Sequence, residues 1–214
     1  MEEYAKVLRW SKDEAVYGLK TTIQLPKSAI FEKNVGFINF YLGVYGASVH
    51  YECGLSTKPA EAANDNWHWF WNTGFANDGG PYMIKSGATI PIELSMNCDN
   101  NLDFKVGGEV VKTFIAEAEP FGALTNARLV VAACDQKFES IPDPLPEWTT
   151  RHDAVTCDCL SFRDSCGTWV TMSSLNSNPP TSTIFWPTGH KHSGTPADYT
   201  TTLSVGRIIA SLKD

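Results

Sequence analysis

The strongest constraint on this fold is a strict alternation of apolar and polar side chains between residues 89 and 98. In an extended chain, Ile90, Ile92 and Leu94 fall on one side, while the polar residues between them, such as Glu93 and Ser95, fall on the other. A period of two is the pattern of a β-strand with one buried face, whereas an amphipathic helix repeats every 3.6 residues. We therefore predict a strand here, with its apolar face in a hydrophobic core.

Similar patterns recur along the chain. They predict further strands at residues 21–25, 37–45, 48–55, 66–73, 102–106, 110–115, 127–135, 155–162, 168–173 and 200–209. Asp99 to Asn101 and the pair Gly107-Gly108 are typical of turns. Only residues 26–33, with Pro26 at their start, carry a helical signal. Because many half-apolar strands must pair their apolar faces, the predicted fold is all-β, a two-sheet antiparallel sandwich forming a single domain over residues 1–214.

Composition excludes several partners. The net charge is −7 and no basic run occurs, so nucleic acid is not an expected partner. The longest stretch of low charge, residues 35–49, is broken by three glycines, so no membrane helix is expected either. The first four residues are polar and acidic, which is not the pattern of a signal peptide. The compartment stays open, and an extracellular location is compatible if a signal was removed.

The run Trp67-His68-Trp69-Phe70-Trp71 carries three indoles. In a strand they share one face, and His68 and Phe70 share the other. Three adjacent indoles form a flat apolar platform with polar N–H tips, which suits stacking on sugar rings or on peptide side chains. The alternative is that they belong to the sandwich core.

His50 and Glu52 share one face of the strand predicted at residues 48–55. A histidine beside a carboxylate is a candidate acid–base pair. The alternative is an ordinary polar face or a salt bridge.

Three short segments resemble the glutamic peptidases, or eqolisins: residues 22–26 (TIQLP), residues 41–46 (YLGVYG) and residues 52–55 (ECGL). The similarity continues through the tryptophan-rich strand, residues 84–90, the Gly-Gly hairpin and residues 126–130, and it spans about residues 21–134. The resemblance implies a concanavalin-A-like jelly roll, a double sheet whose concave face holds ligands.

The departures from this family concern its catalytic residues. The resemblance aligns the family's catalytic glutamine with Glu52 and its catalytic glutamate with Arg128. Arginine cannot act as a base, so peptidase activity of that type is not expected. Instead, we expect Glu52 and Arg128 to form an ion pair at the centre of the groove, suited to recognition of a polar ligand.

The six cysteines leave disulfides and metal binding open: Cys53, Cys98, Cys134, Cys157, Cys159 and Cys166. His152 precedes the last three, and alternation would place Cys157 and Cys159 on one strand face, where they could share a metal. Their spacing fits no common zinc signature, so chance clustering or a single disulfide is the preferred interpretation. No metal or cofactor is expected.

The favoured hypothesis is a non-catalytic module that binds carbohydrate, or another polar polymer, in a groove. Its expected ligand-binding residues are His50, Glu52, Trp67, Trp69, Trp71 and Arg128. One alternative is a hydrolase on the same scaffold, a glycoside hydrolase or a glutamic-peptidase-like enzyme that acts through Glu52. The other is a structural or assembly protein.

Overall fold

The computed structural model describes residues 2–46, 49–81, 83–115, 125–140, 142–185, 192 and 194–213. These residues contain one short helix, α1 (Pro59–Ala62), and otherwise strands and loops. The strands in chain order are β1 (Glu2–Lys12), β2 (Gly18–Gln24), β3 (Ala29–Phe31), β4 (Phe37–Tyr45), β5 (His50–Thr57), β6 (Asn66–Asn72), β7 (Asn77–Gly79), β8 (Ile84–Lys85), β9 (Thr89–Met96), β10 (Leu102–Val106), β11 (Glu109–Phe114), β12 (Asn126–Phe138), β13 (Thr150–Arg163), β14 (Trp169–Thr171), β15 (Thr181–Phe185), β16 (Tyr199–Ser204) and β17 (Arg207–Leu212).

The strands form two sheets. The first sheet has eight strands, in the order β15-β1-β12-β4-β5-β6-β7, with β8 paired to β6. The second has nine strands, in the order β11-β10-β9-β2-β13-β17-β16, with β3 and β14 paired to β13. The predicted all-β sandwich of two antiparallel sheets, a jelly roll, is therefore confirmed.

The core lies between the two sheets and draws on both. The first sheet contributes Trp10, Phe40 and Trp67, and the second contributes Leu19 and Phe104; all five are buried. The alternating segment behaves as predicted, since its central apolar side chains are buried in β9. The prediction succeeds there because β9 has one polar face and one face against the core.

The helix predicted at residues 26–33 is wrong. Ala29–Phe31 is strand β3, whose register pairs Ile30 with Arg151 of β13. Backbone groups that a helix would satisfy internally are bonded across strands instead. The strand predicted at residues 200–209 is also corrected: it is the β16–β17 hairpin, which turns at Val205 and Gly206, where Gly206 has φ +63°.

Strand β1 was missed, although it pairs with β12 over eleven positions and with β15 on its other side. The reason is that residues 4–8 are all buried, so the alternation that identifies a half-exposed strand is absent. Even Lys6 is buried, with its ammonium 3.1 Å from Asp198 and over the ring of Trp148 at 4.7 Å.

A bulge in β13 separates two cysteines that we expected on one face. Cys157 is fully buried, whereas Cys159 is exposed and has φ +56°. The register against β2 shifts between Asp158 and Ser161. An extra residue in a bulge reverses the alternation, so these two thiols do not lie on one face, where the regular pattern would have let them share a metal.

Asp135, near the end of β12, links the first sheet to the start of β13 in the second. Its buried carboxylate accepts hydrogen bonds at Oδ1 from the N–H and O–H groups of Thr149 and Thr150, at 2.8–2.9 Å. Lys33 Nζ lies 2.8 Å from Oδ2. Burial raises the pKa of Asp135, but these hydrogen bonds outweigh it and hold the pKa below its ordinary value.

We predict that Asp135→Asn lowers the free energy of unfolding by about 3 kcal/mol at neutral pH, because a buried ionic acceptor is replaced by a group that cannot serve every donor. The matched control is Asp158→Asn, which removes a half-exposed carboxylate paired with Arg207 and should cost less than about 1 kcal/mol. Urea denaturation measures both.

The difference in the free energy of unfolding between wild type and Asp135→Asn should become smaller as the pH falls. A carboxyl whose folded pKa is lowered stabilises the fold above its unfolded pKa, and that contribution is lost as the pH falls through the folded pKa. A cost no larger than that of the control, or one independent of pH, would contradict the role given to Asp135.

Candidate functional site

A groove of about 840 Å³ lies on the face of the first sheet that is turned away from the second. We call it the outer groove. Strands β1, β12, β4, β5 and β6 run side by side across it, and every second side chain of each strand faces it. The residues that line it include Arg9, Tyr41, Tyr45, Glu52, Phe70, Asn72 and Arg128.

The carboxylate of Glu52, on β5, accepts three hydrogen bonds. Tyr45 Oη donates to Oε1 at 2.8 Å, and Tyr41 Oη donates to the same oxygen at 3.3 Å. Asn72 Nδ2 donates to Oε2 at 3.0 Å. A carboxylate has about four acceptor positions, so about one remains for a group that enters the groove.

Glu52 and Arg128 do not form the predicted direct ion pair. Both are in register with Gly43 of β4, one from each side, so their backbones lie two strands and about 10 Å apart. The ring of Tyr45 lies over Gly43: a Cβ there would come within 2.6 Å of Tyr45 Oη. Tyr45 therefore separates the two charged groups and contacts both.

Arg128 is fixed by two contacts. Its guanidinium carbon lies 4.3 Å from the centroid of the Tyr45 ring, a cation–π arrangement. Its Nε donates to Asn126 Oδ1 at 2.5 Å, and Asn126 Nδ2 in turn donates to Asp13. A continuous network therefore crosses four strands, from Asn72 through Glu52 and Tyr45 to this end of β12.

The two tyrosines act as permanent donors. Burial is the main cause that raises the pKa of Tyr45 far above its ordinary value, and neighbouring Tyr41 and Glu52 raise it further. Burial, followed by Glu52, also raises the pKa of Tyr41. Both phenols are therefore protonated at neutral pH and donate to the carboxylate of Glu52.

The indoles predicted as a ligand platform turn inward. Their ring contacts are with the core: Trp67 with Phe40 at 5.1 Å, Trp69 with Phe104 at 6.4 Å, and Trp71 with Phe114 at 5.6 Å. Trp67 is fully buried, Trp69 packs against the core, and Trp71 also borders the groove. The prediction that Trp67 and Trp69 form a wall of the groove is therefore wrong. The alternative, that they belong to the core, is correct.

The opposite face of β6 supplies the groove instead, through His68 and Phe70. Phe70 meets Tyr41 edge-on at 5.9 Å. His68 Nδ1 lies 3.3 Å from Glu61 of α1. Burial lowers the pKa of His68, and the Glu61 carboxylate offsets part of that decrease.

His50 lies on the same strand face as Glu52, as predicted. Its ring stacks on that of Tyr45, with centroids 5.9 Å apart. It makes no hydrogen bond to Glu52 within the described residues, since the donors to that carboxylate are Tyr41, Tyr45 and Asn72. The candidate acid–base pair is therefore not assembled. His50 also packs against Gly74, where a Cβ would come within 2.5 Å of its ring.

No cluster of three or more histidine, cysteine or acidic side chains suited to a metal occurs in the described part of the chain. All six cysteines are free thiols. Within the same residues, no helix has the length and hydrophobicity that a membrane crossing requires.

No protein-family profile and no curated protein matches the sequence. Solved structures do match. Scytalido-glutamic peptidase, determined with a transition-state analog inhibitor, superposes with a TM-score of 0.67 at 14% identity, over 99% of this chain and 98% of that one. The chain has the fold of this peptidase.

A second matching structure is SCP-B, a member of the Eqolisin family of peptidases in a complex with the tripeptide Ala-Ile-His. It has a TM-score of 0.63 at 13% identity, and covers 99% of this chain and 98% of that one. The eqolisin resemblance is therefore confirmed as a shared fold. It extends over the whole chain, well beyond the residues whose motifs suggested it.

We predict that Tyr45→Phe lowers the free energy of unfolding by about 2 kcal/mol, because it removes a buried donor to a charged acceptor while keeping the ring beneath Arg128. Tyr41→Phe, which removes the longer hydrogen bond of 3.3 Å, should cost less than about 1 kcal/mol. Denaturant unfolding compares the two variants. Equal costs, or a larger cost for Tyr41→Phe, would contradict the assignment of Tyr45 as the principal donor.

Proposed function

We propose that the protein binds a carbohydrate polymer in the outer groove without cleaving it. The observation that carries this proposal is the network around Glu52: three donors hold its carboxylate in place and leave about one acceptor position toward the groove. A preorganised acceptor binds a ligand hydroxyl without the cost of ordering its own side chain.

The other groups around Glu52 also suit a sugar. The aromatic rings of Tyr41, Tyr45 and Phe70 border the groove, and a ring face or edge provides apolar contact beside polar groups. Asn72 and Arg128 supply planar donors on either side of Glu52. Ligand sites generally combine such apolar surfaces with a few polar groups at fixed positions.

The absence of an evident reacting pair supports binding over catalysis. Arg128 cannot act as a base, and the phenols stay protonated. Among the described residues, two other carboxylates line the groove: Glu3 is paired with Lys137 at 2.6 Å, and Asp78 Oδ1 accepts the N–H of Gly79. A retaining glycosidase needs two cooperating carboxyl groups about 5 Å apart, and the residues that the structure describes offer no such partner for Glu52.

The test is calorimetric titration with hexasaccharides of neutral and acidic sugars. We predict that Glu52→Gln weakens binding by about tenfold, the equivalent of one hydrogen bond to a charged group. Phe70→Ala should weaken it as well. The matched control is Glu93→Gln, which alters a carboxylate on the outer face of the second sheet, bonded to Ser95 and Lys105.

A thermal melt of each variant separates lost binding from lost folding. Binding that survives both Glu52→Gln and Phe70→Ala, or no binding to any of the hexasaccharides, would overturn the proposal.

A second candidate function is hydrolysis through Glu52. Two observations favour it: the outer groove holds a carboxyl and an amide 3.0 Å apart, Glu52 and Asn72, and the fold is one on which glutamic peptidases are built. An assay on denatured protein and mixed polysaccharides at several pH values decides between the two. If wild type turns over a substrate and Glu52→Gln abolishes that turnover, the protein is a hydrolase. If wild type binds its ligand without turnover, hydrolysis is excluded.

A further inference from the structure

The guanidinium of Arg128 presents to the outer groove an edge that no described residue fills. Its Nε is bonded to Asn126 and its face lies on the Tyr45 ring. Its two Nη atoms have no hydrogen-bond or salt-bridge partner among the described residues, and Arg128 lines the groove. The side chain is thus fixed in position with two donor atoms unfilled.

Such an edge matches one kind of ligand group. The Nη–H groups of a guanidinium form parallel hydrogen bonds with the two oxygens of a carboxylate, and this pairing is stronger and more directional than a bond to a neutral hydroxyl. Because Tyr45 and Asn126 already hold Arg128 in place, little side-chain entropy is lost on binding.

The surroundings divide the groove by charge. Arg9 of β1 is in register with Val130 of β12, so it lies diagonally beside Arg128 on the same face. Glu52 lies on the far side of the Tyr45 ring, and Lys137 is already paired with Glu3. Two arginines, Arg9 and Arg128, therefore lie side by side in the half of the groove over β1 and β12, although the whole chain carries −7.

We infer that the ligand of the outer groove is an acidic glycan, a polymer that contains uronic acids, and that one of its carboxylates pairs with Arg128 while a hydroxyl of a neighbouring sugar donates to Glu52. This inference rests on the proposed function and names the class of sugar. Since the net charge repels anions at long range, the preference for acidic sugars arises from contact with Arg128, not from electrostatic steering.

The experiment compares trigalacturonic acid with its trimethyl ester, which keeps the sugar rings and hydroxyl groups but carries a methyl group on each carboxyl and no charge. Calorimetric titration of wild type should give an affinity for the acid about tenfold or more above that for the ester. Arg128→Gln should lower the affinity for the acid about tenfold more than it lowers that for the ester, so that the two ligands then bind alike. Arg128→Lys, which keeps the charge and loses the planar edge, should recover only part of the preference.

The matched control is Arg207→Gln, which removes a half-exposed arginine paired with Asp158 on the second sheet and should leave both affinities unchanged. Thermal melts confirm that the Arg128 variants are folded.

Equal affinity for acid and ester would overturn the inference while the binding of carbohydrate stands. Binding of neutral hexasaccharides but of neither probe would also overturn it and leave the proposed function in place. Binding of a tripeptide with a free carboxylate, with no binding of any sugar, would overturn both and assign the groove to peptides.

Discussion

The arrangement of the outer groove depends on one contact, the ring of Tyr45 lying over Gly43. Any side chain at position 43 would occupy the space of that ring. With glycine there, the phenol reaches Glu52 at 2.8 Å and the ring face reaches Arg128 at 4.3 Å. A carboxylate and a guanidinium on strands β5 and β12 are thereby held apart, each fixed and each with capacity left for a ligand.

This arrangement explains why the groove differs from the one that the family resemblance implied. A direct Glu–Arg pair would neutralise both groups and satisfy their hydrogen-bonding capacity internally. The backbones of Glu52 and Arg128 lie two strand spacings apart, about 10 Å, with the Tyr45 ring between their side chains. The two sheets are those of the eqolisin fold, and the outer face carries its own pattern of charged and aromatic side chains.

Much of the fold could be predicted from alternation, as β9 illustrates, but alternation does not say which face of a strand is buried. For β6 it separated the indoles from His68 and Phe70 correctly, and only the packing of Trp67 on Phe40 reveals which set is inside. Strand β1 was missed because both of its faces are covered. Tyr41 and Tyr45 could have been identified, since they share a strand face with Gly43 beside Glu52; the spacer role of Tyr45 needs coordinates.

The most direct test follows the side-chain N–H signals of ¹⁵N-labelled protein during titration with an oligosaccharide that binds. We predict that the Nε signal of Arg128 and the Nδ2 signals of Asn72 shift in a saturable manner. The signals of Arg163 and Arg207, on the second sheet, should stay in place. Shifts confined to the second sheet, with Arg128 and Asn72 unchanged, would contradict the claim that the outer groove is the binding site.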